Sequence, residues 1–156
     1  MHIIDLKDCP EYLEIVANWH QDEWSHYNPG KTVQDRIQEY KSEFLKGGLL
    51  PTMLVVVNNG VPLGTAALVE CDMEGREHLS PWLASVYVPK EHRKKGIGEK
   101  VVKAIMQLVE ENNLESFYLY TPESESWYQN MGWKTIEKLN FHGDDVTIMR
   151  FNSLNS

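Results

Sequence analysis

Between Trp82 and Tyr120 the chain runs from strand to glycine-bearing basic turn to amphipathic helix to strand, and this order limits the fold more than any other feature. Trp82 to Val88 is an apolar run of strand character. Gly98 to Asn112 puts Val101, Val102, Ile105, Leu108 and Val109 on one helical face, and Ser116 to Tyr120 is a further strand. A helix of that length carries the chain back along a sheet, so the two strands should pair in parallel, with the helix as crossover.

The remaining segments attach to that unit. His2 to Leu6 is a first strand. Asp8 is the expected N-cap of a helix with Pro10 in its first turn and Leu13, Val16, Ala17, His20 and Trp24 at helical spacing. Asn28-Pro29-Gly30 breaks it, Thr32 caps a second helix carrying Val33, Ile37, Tyr40 and Phe44, and Gly47-Gly48 stops that one. Met53 to Val57 and Val61 to Glu70 are strands around an Asn59-Gly60 hairpin turn. Cys71 to Ser80 is a polar loop, and Pro89 to Lys95 a basic turn. Thr121-Pro122 opens a short helix that Gly132 closes. Trp133 to Phe141 and Val146 to Phe151 form a last hairpin around His142-Gly143-Asp144-Asp145. The order β-α-α-β-β-β-α-β-α-β-β predicts an α+β fold, with a mixed, mostly antiparallel sheet of about seven strands and about four helices.

The length of 156 residues and a hydrophobic share of 42% suit one compact domain over residues 1–156. The net charge of −8 argues against a nucleic-acid partner and is compatible with an amine-bearing one. Cys9 and Cys71 are far apart without a CxxC spacing, so neither a disulfide framework nor a zinc site is expected. His20, Glu23 and His26 have i, i+3 spacing but no recognisable motif, and no metal is expected from them. The N-terminus lacks a basic region followed by an apolar run, and no stretch is long enough to span a bilayer. A cytoplasmic protein with no membrane partner is therefore expected.

The turn before the long helix carries the chemistry. A pyrophosphate needs convergent N–H donors and close backbone approach. Gly96 and Gly98 remove the Cβ atoms that would block it, and a helix N-terminus adds unpaired N–H groups and partial positive charge. Lys90, Arg93, Lys94, Lys95, Lys100 and Lys103 against Glu91 and Glu99 give residues 89–103 a net +4, so the rest of the chain carries −12 of the total −8. No Gly-Lys-Ser/Thr follows, which excludes a Walker motif. The three-glycine pattern with a downstream acid, which would mark a dinucleotide fold, is also missing.

Arg93-Lys94-Lys95-Gly96-Ile97-Gly98, set between that strand and that helix, resembles the Arg/Gln-x-x-Gly-x-Gly/Ala signature of the GNAT N-acetyltransferases. The element order is also similar to the GNAT fold, most clearly from Trp82 to Trp133. The resemblance implies acetyl-CoA as co-substrate. Main-chain groups around Val86, Tyr87 and Val88 would hold its acetyl and pantetheine part, and the backbone of Arg93, Lys94, Lys95, Gly96, Ile97 and Gly98 its pyrophosphate. It also implies a strand bulge that this sequence does not display. Trp127-Tyr128-Gln129-Asn130-Met131-Gly132-Trp133 resembles the family's Phe-Tyr-x-x-x-Gly-Phe segment. Tyr128 matches the tyrosine that protonates the CoA thiolate, while Trp127 is expected to pack the short helix onto the sheet.

The chain departs from the family where a base often stands, since Trp82 and Ala84 cannot take a proton. Glu23, His26, Glu70, Asp72 and His78 remain as groups that could hold a water for that purpose. For the acceptor, the resemblance implies the first two helices and the last hairpin. Glu23, Trp24 and His26 in the first helix region, with Glu70 at the end of the third strand, are candidates for binding a small-molecule or peptide amine, through acids and ring faces. The missing base leaves a second function open, an acetyl-CoA-binding sensor or interaction module with weak turnover. A transferase acting on charged tRNA would need a basic face that the −12 denies. A homodimer is compatible with the resemblance, through an edge formed by the last strands.

Overall fold

The computed structural model describes residues 1–153; the last three residues of the domain expected over 1–156 lie outside the described residues. The elements are β1 (His2–Asp5), α1 (Leu13–Trp24), α2 (Val33–Phe44), β2 (Thr52–Asn58), β3 (Val61–Val69), β4 (Trp82–Tyr87), α3 (Ile97–Glu111), β5 (Ser116–Thr121), α4 (Glu125–Gln129), β6 (Lys134–Phe141) and β7 (Asp144–Asn152). The strands form a seven-stranded mixed sheet in the order β1-β2-β3-β4-β5-β7-β6. β4 and β5 are parallel, as the crossover requires, while β1–β2, β2–β3, β5–β7 and β6–β7 are antiparallel. The chain divides into two compact units: Met1–Leu68 with Ser85–Ile105, and Val69–Ala84 with Met106–Ser156. Among the described residues no helix is long and apolar enough to cross a membrane.

In the first unit, β2 and β3 are joined at Asn59-Gly60. Both residues take positive φ, 51° and 76°, the geometry a two-residue hairpin turn needs. Thr32 caps α2 through a capping box. Its hydroxyl accepts from the Asp35 N–H, and the Asp35 carboxylate accepts from the Thr32 N–H. Asp8 does not cap α1. Leu6–Asp8 and Pro10–Tyr12 form two short 3-10 turns first, Asp5 caps the earlier one, and α1 begins at Leu13 without a side-chain cap. Pro10 at the first position of a tight turn explains the delay, because its fixed φ suits a turn start and it has no N–H to give. Ile97, Val101, Val102 and Ile105 on α3 are at most 2% exposed, and each such burial contributes about 1.5–3 kcal/mol.

In the second unit, Met73 from the 71–80 segment packs with Trp82, Val146 and Ile148, so a stretch expected to be a polar loop contributes to the core. The Trp133 ring packs at a tilt against Phe117, with ring centres 4.5 Å apart. The short helix begins at Glu125 instead of at Thr121-Pro122. Thr121 still ends β5, and its hydroxyl accepts from the Ser124 N–H. The last hairpin turns on His142-Gly143 alone, both at positive φ, and Asp144 and Asp145 already belong to β7.

Candidate functional site

In the first unit the centre of interest is where β4 ends. Ser85 sits inside the strand with φ 54°, a left-handed conformation that interrupts the pleat. Its carbonyl accepts a hydrogen bond from Thr65 Oγ1 at 2.9 Å. The strand residues Val86 and Tyr87, and Val88 just after them, are half-buried. Registered pairing of β4 with β5 is limited to Trp82 with Tyr118.

The loop that follows is shaped for an anion. Lys94 (φ 63°) and Gly96 (φ 78°) are both left-handed. This alternation turns successive N–H groups toward one side, and α3 begins directly after it at Ile97. Among the described residues, the N–H groups of Lys94, Lys95, Gly96, Ile97, Gly98 and Glu99 have no acceptor, and the helix ladder starts with Lys100 N–H to Gly96 O. A Cβ on Gly96 would meet nothing within 4 Å, so the glycine is there for its backbone conformation and for open space above it. Arg93, Lys94 and Lys95 are exposed around it.

Arg93 has a second task. Its Nε donates to the Val88 carbonyl at 2.7 Å, and its guanidinium lies 5.7 Å from the Tyr87 ring centre, which ties the loop to the strand end. The Val88 carbonyl is therefore already engaged once within the protein. Gly64 on β3 is a residue that sequence reasoning missed. A Cβ there would come within 3.0 Å of the Tyr87 carbonyl and 3.1 Å of both Ile97 and Val88, so glycine allows the close approach beneath the cradle. A glycine inside a strand pattern is the signal that could have found it.

His20, a weak metal candidate by spacing, is fully buried with both ring nitrogens occupied. Nδ1 lies 2.7 Å from the Tyr40 hydroxyl and Nε2 2.9 Å from Thr65 Oγ1. Burial and the Arg36 charge lower its pKa to about 3, so it is neutral. Glu23 and His26 are exposed, His26 against the Tyr27 ring. Trp19 and Trp24 are half-buried. Their rings stand 5.8 and 6.0 Å from Tyr87, which gives this end of β4 an aromatic wall.

In the second unit Tyr128 is 6% exposed, its ring 4.8 Å from Trp127 and 6.0 Å from Trp133. Burial raises its phenol well above the ordinary tyrosine range. Among the described residues its hydroxyl has no hydrogen-bond partner, and it is not one of the polar atoms sealed from solvent. The packing role expected of Trp127 falls to its neighbour, since Trp127 is 37% exposed. The period of a five-residue helix is too short to tell the two apart from sequence. Trp82 is sealed in the core with its indole N–H on the Leu79 carbonyl at 2.6 Å, and Ala84 is buried. Glu70 is exposed, and its carbonyl accepts from the Ser80 hydroxyl. Asp72 is open to solvent as a residue, while the protein packed around its carboxyl raises that group to about 7. A recess in this unit is lined by Pro122, Ser126, Lys138, Asn140, Asp145 and Thr147. It lies along the strands of the last hairpin, with His142 and Gly143 of the turn outside its lining.

A profile of the acetyltransferase (GNAT) family matches residues 13–133. No curated protein matches the chain in sequence. Among solved structures, an aminoglycoside 6'-N-acetyltransferase complexed with coenzyme A is 15% identical with a TM-score of 0.75, covering 99% of this chain and 98% of that one. Spermidine N-acetyltransferase from Vibrio cholerae, in complex with CoA and spermine, is 16% identical with a TM-score of 0.75, covering 97% and 95%. An acetyltransferase of the same family from Staphylococcus aureus Mu50 is 20% identical with a TM-score of 0.69, covering 97% and 98%. At these identities the likeness to the solved structures is one of fold.

Proposed function

The chain belongs to the acetyltransferase (GNAT) family, and from that premise we propose that it acts as a single domain moving an acetyl group from acetyl-CoA to a primary amine of a small molecule or peptide. The observation that carries this reading is the run of unpaired N–H groups from Lys94 to Glu99 in a basic, left-handed turn. Those donors suit a pyrophosphate, and the bare surface over Gly96 leaves room for one. Bound acetyl-CoA supplies a thioester whose carbonyl an amine can attack. The main-chain groups of Val86 and Val88 would orient that carbonyl and the pantetheine arm.

Tyr128 would give its hydroxyl proton to the departing sulfur. Its raised pKa keeps the phenol protonated at neutral pH. The same loss of solvation raises the basicity of a thiolate placed beside it, so donor and acceptor stay matched.

Asp72 is our candidate for the group that takes up the amine's proton. With its carboxyl at about 7, the ionised, proton-accepting form grows as pH rises through 7. The expected kcat/KM profile therefore climbs below pH 7 and levels above it, and Asp72→Asn removes that limb. An unchanged profile in Asp72→Asn would assign the limb to another group. β6 is one of the two edge strands of the sheet and carries Ile136, 46% exposed, which is where a homodimer contact would form.

The test is thiol release from acetyl-CoA against polyamines, aminoglycosides, amino acids and peptides. The two named structural neighbours put polyamines and aminoglycosides first. Release with at least one amine is expected. Binding of acetyl-CoA with no release from any acceptor would favour the second reading, a CoA-binding module.

A further inference from the structure

A chain of buried hydrogen bonds crosses the first unit and ends on Ser85. Arg36 is 6% exposed, with Nε on Gln21 Oε1 at 3.0 Å and Nη1 on the Tyr40 hydroxyl at 3.4 Å. Tyr40 meets His20 Nδ1 at 2.7 Å, His20 Nε2 meets Thr65 Oγ1 at 2.9 Å, and Thr65 Oγ1 meets the Ser85 carbonyl at 2.9 Å. Proton accounting gives the chain one direction. A carbonyl oxygen only accepts, so the single Thr65 hydroxyl proton points to Ser85. Thr65 Oγ1 must then accept from His20, which places the ring proton on Nε2. The ring is neutral, so Nδ1 is bare and accepts the Tyr40 hydroxyl proton, and Tyr40 Oη is left to accept from Arg36. The Ser85 side chain bears on Tyr40 as well.

The far end of this relay holds an unusual residue. Ser85 has φ 54° in the middle of β4, a conformation that costs energy for a residue with a side chain. The Ser85–Val86 peptide is trans. In a planar trans peptide the carbonyl and the following N–H point in opposite directions. Fixing the Ser85 oxygen against Thr65 therefore fixes the Val86 N–H on the opposite side.

We propose that Thr65, with His20 and Tyr40 behind it, is a positioning residue that aims the Val86 N–H at the oxygen of the acetyl carbonyl. The inference rests on the acetyltransferase reading above and adds to it what sets the donor's direction. It also accounts for a buried histidine and a buried arginine that, among the described residues, make no ion pair within 4.0 Å. They form the back of a one-way relay whose last bond holds a strained peptide in place.

The test uses nitrogen-15-labelled full-length protein and needs no acceptor amine. In the free protein, long-range proton–nitrogen spectra should show His20 as the neutral Nε2–H tautomer; an Nδ1–H tautomer would reverse the relay and overturn the proposal. With ligand, the Val86 amide should shift differently for acetyl-CoA than for CoA, because the two differ only in the acetyl group. Thr65→Val is nearly isosteric and lacks the hydroxyl, so this difference should be lost. Thr65→Ser restores the hydroxyl and should retain it. A Val86 difference that survives in Thr65→Val, or is lost equally in Thr65→Ser, overturns the proposal.

Tyr40→Phe is a second route that leaves Thr65 in place. It frees Nδ1, lets the ring adopt either tautomer, and should shrink the difference. Full retention there counts against the relay. If acetyl-CoA moves no amide in the wild type, the cofactor reading itself has failed, which is distinct from a wild-type shift that ignores Thr65.

Discussion

Tyr128→Phe is expected to lower kcat by about 100-fold or more, the usual span for loss of a positioned general acid, while acetyl-CoA affinity changes by less than about threefold. The structure makes this substitution clean. The ring is what packs against Trp127 and Trp133, and phenylalanine keeps it. The hydroxyl has no partner among the described residues, so removing it breaks no hydrogen bond and leaves no orphaned group behind. A fall in turnover can then be attributed to proton delivery and not to a damaged fold. Thermal unfolding should stay close to that of the wild type, because the packed ring is kept and the hydroxyl has no protein partner to lose. Wild-type kcat in Tyr128→Phe would remove Tyr128 from the reaction and leave it as a packing residue.

Gly96→Trp is expected to weaken acetyl-CoA binding by about 100-fold or more, equivalent to about 2.8 kcal/mol, with a much smaller effect on folding. Gly96 holds φ 78°, and a side chain there costs about 1–2 kcal/mol of backbone strain. No protein atom lies within 4 Å of the added Cβ, so the indole meets no core. It does occupy the space over the N–H groups of Lys94 to Glu99, where the phosphates are placed. Relaxing φ toward ordinary values would also turn those donors apart. Both consequences act on the ligand, and a surface turn can absorb the strain. Unaltered affinity would mean that the pyrophosphate is held elsewhere.

The parts of this molecule that periodicity and turn chemistry control were open to reading from the sequence. Thr32 and Asp35 form the cap of α2, Asn59-Gly60 is the hairpin turn, and the strand–helix–strand from Trp82 to Thr121 is the parallel crossover. The parts that depend on contacts distant in sequence were not. Ser85 is an ordinary strand residue in sequence, and only the hydroxyl of Thr65, twenty residues earlier, marks it as special. His20 sits on a helical face among candidate ligands, yet the fold buries it and closes both nitrogens. Gly64 becomes informative only when the Tyr87 carbonyl is seen 3.0 Å from where its Cβ would be. The acceptor side is least legible for the same reason. Glu23 and His26 stand exposed on one helical stretch, and Glu70 follows a strand far along the chain. Nothing in their local pattern says which amine they would meet.

The central claim is that the turn from Lys94 to Glu99 binds the pyrophosphate of acetyl-CoA. The most direct measurement is a pair of calorimetric titrations, one with acetyl-CoA and one with S-acetylpantetheine, which keeps the thioester and lacks the pyrophosphate with its attached nucleotide, run on the wild type and on Gly96→Trp so that the part owed to the turn is read from the change in the gap. Acetyl-CoA should bind about 100-fold tighter or more, as several charge-assisted hydrogen bonds demand, and the gap should close in Gly96→Trp. Equal affinities for the two ligands in the wild type would contradict the account.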